Sequence, residues 1–71
     1  RFVRNVLVAI GNSADATLAS EAQRLLDDAS PLVRGAAVWA LSRLVGKDEL
    51  AAMRREDADP EVNEEWETAL V

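Results

Sequence analysis

Arg4 and Arg34 stand thirty positions apart, each directly after a valine that opens an apolar stretch, in "VRNVLVAIGN" and "VRGAAVWALS". A guanidinium in the first turn of a helix faces the positive end of the helix dipole, which costs about 0.3–1 kcal/mol unless an anion is near. Two kinds of anion would answer that cost. One is an aspartate from a turn between helices, and Asp27, Asp28, Asp57 and Asp59 all lie shortly before an aligned valine. The other is a nucleic-acid phosphate, gripped by the arginine together with free N–H groups at the helix start. A guanidinium has two edges and can serve both, so the sequence leaves the two readings open.

The remaining polar candidates are few. Arg43 is a third cation that a phosphate could use, while Asn5 and Asn12 supply neutral hydrogen bonds to RNA or simply cap backbone turns. Trp39 falls off the apolar stripe of its stretch, so it either packs on the preceding shorter helix (within 15–28) or belongs to a contact surface. Arg54 and Arg55 sit among acids in "RRED" and read as a solvated face. Glu61, Glu64, Glu65 and Glu67 follow helical spacing without a histidine beside them, and they read as the outer face of a last helix rather than a catalytic pair. The 71 residues contain no cysteine, histidine or tyrosine, which removes disulfides, thiolate metal sites and the usual general base. The chain itself is therefore read as non-catalytic.

Charge is divided along the chain. Residues 1–45 carry five basic and four acidic groups, and residues 46–71 carry three basic and nine acidic ones, which together give the net −5. The acidic part repels a phosphate backbone, so any RNA contact must use the first two thirds. No apolar run is long enough to span a bilayer and no signal-peptide pattern is present, so a soluble, cytoplasmic protein is expected. The start at Arg1-Phe2-Val3 without an initiator methionine predicts a C-terminal fragment of a longer protein.

The elements that would position these residues repeat. "VNEEWETALV" from Val62 aligns with the two stretches above, so that Val3, Val33 and Val62 correspond, as do Leu7, Ala37 and Trp66, then Ile10, Ala40 and Ala69, and finally Arg4, Arg34 and Asn63. Ser30-Pro31 and Asp59-Pro60 are helix starts, with a capping side chain followed by the ring that suits the first turn. "DATLASEAQRLLDD" (15–28) and "DELAAMRRED" (48–57) predict a second kind of helix between them, and Gly11-Asn12-Ser13-Ala14 and Gly46-Lys47 predict helix ends. The expectation is one all-α domain over 1–71: about five helices stacked as helical hairpins, with repeats at roughly 1–29 and 30–58 and a terminal cap at 59–71. The expected core stripe of the middle long helix is Val33, Ala37, Ala40, Leu41 and Leu44. Phe2, Val3 and Val6 are expected to be open, or covered in a dimer.

"RNVLVAIGNSAD", "LLDDASPLVRGAAVWAL" and "DADPEVNEEW" together resemble the C-terminal HEAT-like repeat domain of the epoxyqueuosine reductases, iron–sulfur proteins of tRNA queuosine biosynthesis, over nearly the whole chain. The resemblance implies a right-handed α-solenoid that helps dock the tRNA anticodon stem-loop, with Arg4, Asn5, Asn12, Arg34 and Arg43 as RNA-binding candidates and Trp39 as a possible contact surface. It implies no cofactor in these residues. Cobalamin and two 4Fe–4S clusters would belong to upstream catalytic and ferredoxin-like domains of the same chain, where the oxidoreductase chemistry would take place. Family members often have histidine at the position of Ala36, so any role of that side chain is lost or moved here. The rival expectation is a structural or protein–protein interaction scaffold that ignores RNA.

Overall fold

The structure, a computed structural model, describes residues 2–71, with side chains from Val3 onward. The expectation for the Phe2 side chain thus lies outside the described residues. Five α-helices account for most of the chain, and no strand occurs among the described residues: α1 (Phe2–Asn12), α2 (Ala19–Arg24), α3 (Pro31–Leu44), α4 (Lys47–Met53) and α5 (Pro60–Leu70). The longest, α3, is the hub, packing against α1 on one side and α5 on the other, with α2 and α4 also resting on it. The Cα atoms fill 29 × 28 × 16 Å. Two layers of helices with axes about 10 Å apart and Cα radii of about 2.3 Å span nearly that smallest dimension.

Periodicity explains which faces turn inward. Leu7, Ala37 and Trp66, aligned in the sequence, are all buried at 1% exposure or less, and Val33, Val62, Ile10 and Ala40 are buried beside them. Val38 joins this core although it lies off the expected stripe, while Leu44 and Ala69 are only half-buried. Trp66 is the largest fully buried side chain of the domain. On the outer side of α1, Val6 is 40% exposed.

Helix starts follow local chemistry, with one exception. Asp59 accepts a hydrogen bond from the Glu61 N–H (2.8 Å), and Pro31 and Pro60 occupy the first turns of α3 and α5. The Ser30 hydroxyl makes no cap bond. Its own N–H is instead held by Asp28 Oδ2 at 2.9 Å, just as the Asp59 N–H is held by Asp57 Oδ1 at 2.9 Å. The turns before α3 and α5 are thus built alike.

Three boundaries differ from the sequence reading. Gly11 and Asn12 do not end a helix by glycine chemistry; both belong to α1, and the left-handed residue after it is Ala14, at φ 57°. The stretch 15–28 is not one helix but a short α2 flanked by 3-10 turns at Ala16–Leu18 and Leu25–Asp27. Tightened turns satisfy terminal carbonyls that a continued helix would leave free, as when the Asp28 N–H reaches the Leu25 carbonyl at 3.2 Å. The third is α4, which stops at Met53, so "RRED" is not helical. Its last residue is drawn out by distant partners, because Asp57 is needed by Arg34 and Asn63.

Candidate functional site

The arginine question is answered separately at each position. Arg34 grips Asp57 with a two-pronged fork, Nε donating to Oδ2 at 2.8 Å and Nη2 to Oδ1 at 3.0 Å. Its Nη1 donates to the carbonyls of Asp28 (2.9 Å) and Ala29 (3.1 Å). Four of five N–H donors are used inside the protein, on both edges. The pair is largely shielded, with 18% of the Arg34 side chain and 9% of the Asp57 side chain exposed. Hydrogen bonds from Arg34, helped by the Asp59 N–H, hold the Asp57 carboxyl below its ordinary range, although burial opposes this. The same fork raises Arg34.

Asn63, at the position that aligns with Arg34 in the sequence, performs the equivalent task with an amide. Its Nδ2 donates to the Asp57 carbonyl and its Oδ1 accepts from the Asp57 N–H, each at 2.8 Å. Arg34 and Asn63 both reach back six residues to a main-chain carbonyl. Arg55, expected to be merely solvated, bridges Asp27 across to the neighbouring loop, and Arg54 lies 4.0 Å from Glu67. These last pairs are exposed and contribute little.

A pH dependence follows from the fork. Because the folded pKa of Asp57 is lowered, the stability it supplies is complete above the unfolded carboxylate value, about 3.9, and is lost as pH falls through the folded value. Thermal melts should therefore show Asp57→Asn well below wild type at pH 7, with the gap closing below about pH 4. A gap that stays constant to pH 2 would mean the ionised fork stabilises nothing.

Arg4 does something else. It is exposed and takes no ion pair among the described residues. With Val8 and Asn12, its neighbours at four-residue spacing, it forms one wall of a groove of about 480 Å3. The floor belongs to α3 and consists of Leu32, Gly35, Ala36 and Trp39, and the opposite wall is Glu61, Val62 and Glu65 of α5. That volume lies within the range of ligand-sized clefts, about 300–1,000 Å3. A second depression of about 370 Å3 shares Trp39 and adds Arg43, Lys47 and Thr68. Of the sequence-predicted residues, Arg4, Asn12, Trp39 and Arg43 thus line adjoining depressions on one face. Arg34 lines neither, nor does Asn5, which is exposed on α1.

Trp39 is seated by a glycine. A Cβ on Gly11 would lie 2.5 Å from Trp39 Cζ3, so only glycine lets the indole approach α1 this closely. The tryptophan therefore packs on the preceding long helix, α1. The Arg43 guanidinium carbon lies 5.7 Å from the ring centroid, within cation–π range. The acidic wall was missed, because Glu61 and Glu65 read as an outer face. The seat left a trace: Gly11 occupies the register position of buried Leu41.

No protein-family model, curated protein or solved structure matches the chain. The iron–sulfur clusters implied by the resemblance do not fit these residues, since there is no cysteine. Among the described residues no group of three His, Cys, Asp or Glu is placed to hold a metal ion, and no helix is long and apolar enough to cross a membrane.

Proposed function

We propose that the chain is a non-catalytic docking module, a right-handed HEAT-like solenoid segment of an epoxyqueuosine reductase-like cytoplasmic enzyme, and that it helps hold a tRNA anticodon stem-loop. The reading is carried by the division among the arginines. Arg34 is consumed in holding the turns before α3 and α5, whereas Arg4 and Arg43 remain exposed on the face that also presents Asn12 and Trp39. Phosphates would be met by Arg4 and Arg43, and Asn12 and Asn5 would add neutral hydrogen bonds. The like construction of the turns at 28–34 and 57–63 supports the repeat architecture. In this reading cobalamin and clusters reside in upstream domains, and this segment positions RNA for them.

One observation favours the alternative, a protein-binding scaffold. Glu61 and Glu65 line the same groove as Arg4 and would repel a phosphate chain laid along it.

The test is titration of a labelled anticodon stem-loop with the full-length protein between 50 and 200 mM salt. Arg4→Ala and Arg43→Ala should each reduce the log–log salt slope by roughly 0.7–0.9. Unchanged slopes for both would remove the RNA reading and leave the scaffold.

A further inference from the structure

We infer that the groove between α1, α3 and α5 takes a short peptide segment of a protein partner carrying a lysine or arginine beside an apolar anchor. The anchor's site is a floor of unusual openness. On the floor Leu32 is 60% exposed and a Cβ built on Gly35 meets no atom within 4 Å, and on the adjoining wall Val8 is 40% exposed. Small residues at 35 and 36 allow a partner's backbone to come close, while Leu32 and Trp39 offer apolar area at its sides.

Charge complementarity identifies the occupant. Glu61 and Glu65 are four residues apart on one helix face, and neither takes an ion pair among the described residues. Like charges at that spacing repel each other, and a cation placed between them relieves the repulsion. Arg4 on the facing wall, likewise without an ion pair among the described residues, binds a carboxylate from the same segment. A helix or extended peptide with opposite charges on its two flanks and apolar side chains between fits this arrangement. A nucleic acid, with one sign of charge on its backbone, fits only the Arg4 side. The inference rests on the protein-docking reading of the groove; RNA contacts through Arg43 do not bear on it, whereas RNA held by Arg4 would compete with the partner's carboxylate.

The experiment titrates the isotope-labelled chain with two synthetic twelve-residue peptides. Both carry two leucines four positions apart with a glutamate on one flank; one has lysines on the other flank, and its twin has glutamates in their place. The lysine peptide should shift the Gly35 and Ala36 amides and the Trp39 indole N–H, leave the buried Trp66 indole still, and bind at least about tenfold more tightly than its twin. The double variant Glu61→Lys, Glu65→Lys should reverse that preference. Gly35→Leu, which extends into open space, should melt no lower than wild type and bind neither peptide. Equal affinity for the two peptides, shifts confined to other surfaces, or undiminished binding by Gly35→Leu would each overturn the inference. So would an anticodon stem-loop that moves the floor resonances when the lysine peptide moves none. Loss of peptide preference with the RNA salt slope intact would sink this inference alone.

Discussion

Trp66→Ala should bring the domain close to unfolding at physiological temperature. Trp66 is 1% exposed and is the largest side chain buried to that degree. Removing a buried tryptophan costs about 3–5 kcal/mol, and a chain of this length has only about 4–11 kcal/mol in total. At about 4–8 °C per kcal/mol, the melting temperature should fall by roughly 12–40 °C. The loss spreads because Val62 and Trp66 are the buried side chains of α5, against which α4 also packs. Circular dichroism melts of wild type, Trp66→Phe and Trp66→Ala should rank in that order. A fall of less than about 4 °C for alanine, the equivalent of about 1 kcal/mol, would mean that α5 is held by its loop contacts rather than by its core.

The same substitution, glycine to alanine, should have opposite signs at two sites. In a helix interior this change ordinarily stabilises by about 0.8–1 kcal/mol. At Gly35 nothing opposes that gain, since the added methyl meets no neighbour within 4 Å. At Gly11 the methyl would lie 2.5 Å from Trp39 Cζ3, and either the ring must swing toward the groove or α1 must move away. Overpacking of this kind costs about 1–3 kcal/mol, which at most sites outweighs the propensity gain. Gly35→Ala should therefore raise the melting temperature by about 3–8 °C and Gly11→Ala should lower it by up to about 16 °C. Gly11→Ala should also shift the Trp39 indole resonance while leaving that of Trp66 in place. If both variants melt higher than wild type, Trp39 is not seated on α1.

These two glycines show how much of the molecule was legible beforehand. Local signals carried well: Pro31 and Pro60 start helices where expected, and Asp59 caps one of them. Helical periodicity also brought Val33, Ala37, Ala40 and Leu41 into the core. Interactions between distant residues did not carry. Gly11 looked like a helix end because glycine usually is one there, and only the indole 28 positions away (39 − 11) explains it. The loop after Met53 looked helical because its distant partners, Arg34 and Asn63, leave no mark on its own composition. Arg34 and Arg4 share a register position yet have different fates. Asp57 answers Arg34, whereas Asp28, the corresponding carboxylate for Arg4, makes no ion pair with Arg4 among the described residues, although both carboxylates hold a turn N–H alike. The groove was hidden for a similar reason: its walls come from three helices, and neither acidic wall nor open floor is a motif.

The proposed separation of a structural Arg34 from an RNA-binding Arg4 is tested by one paired measurement. The melting temperature and the affinity for an anticodon stem-loop at low salt should be determined together for Arg4→Ala and Arg34→Ala in the full-length protein. Arg4→Ala should melt within about 4 °C of wild type, as exposed substitutions do, and bind RNA more weakly with a shallower salt slope. Arg34→Ala should melt clearly lower, and below its transition it should keep the wild-type slope. The reverse pattern, with Arg34 controlling the slope and Arg4 the melting temperature, would contradict the account.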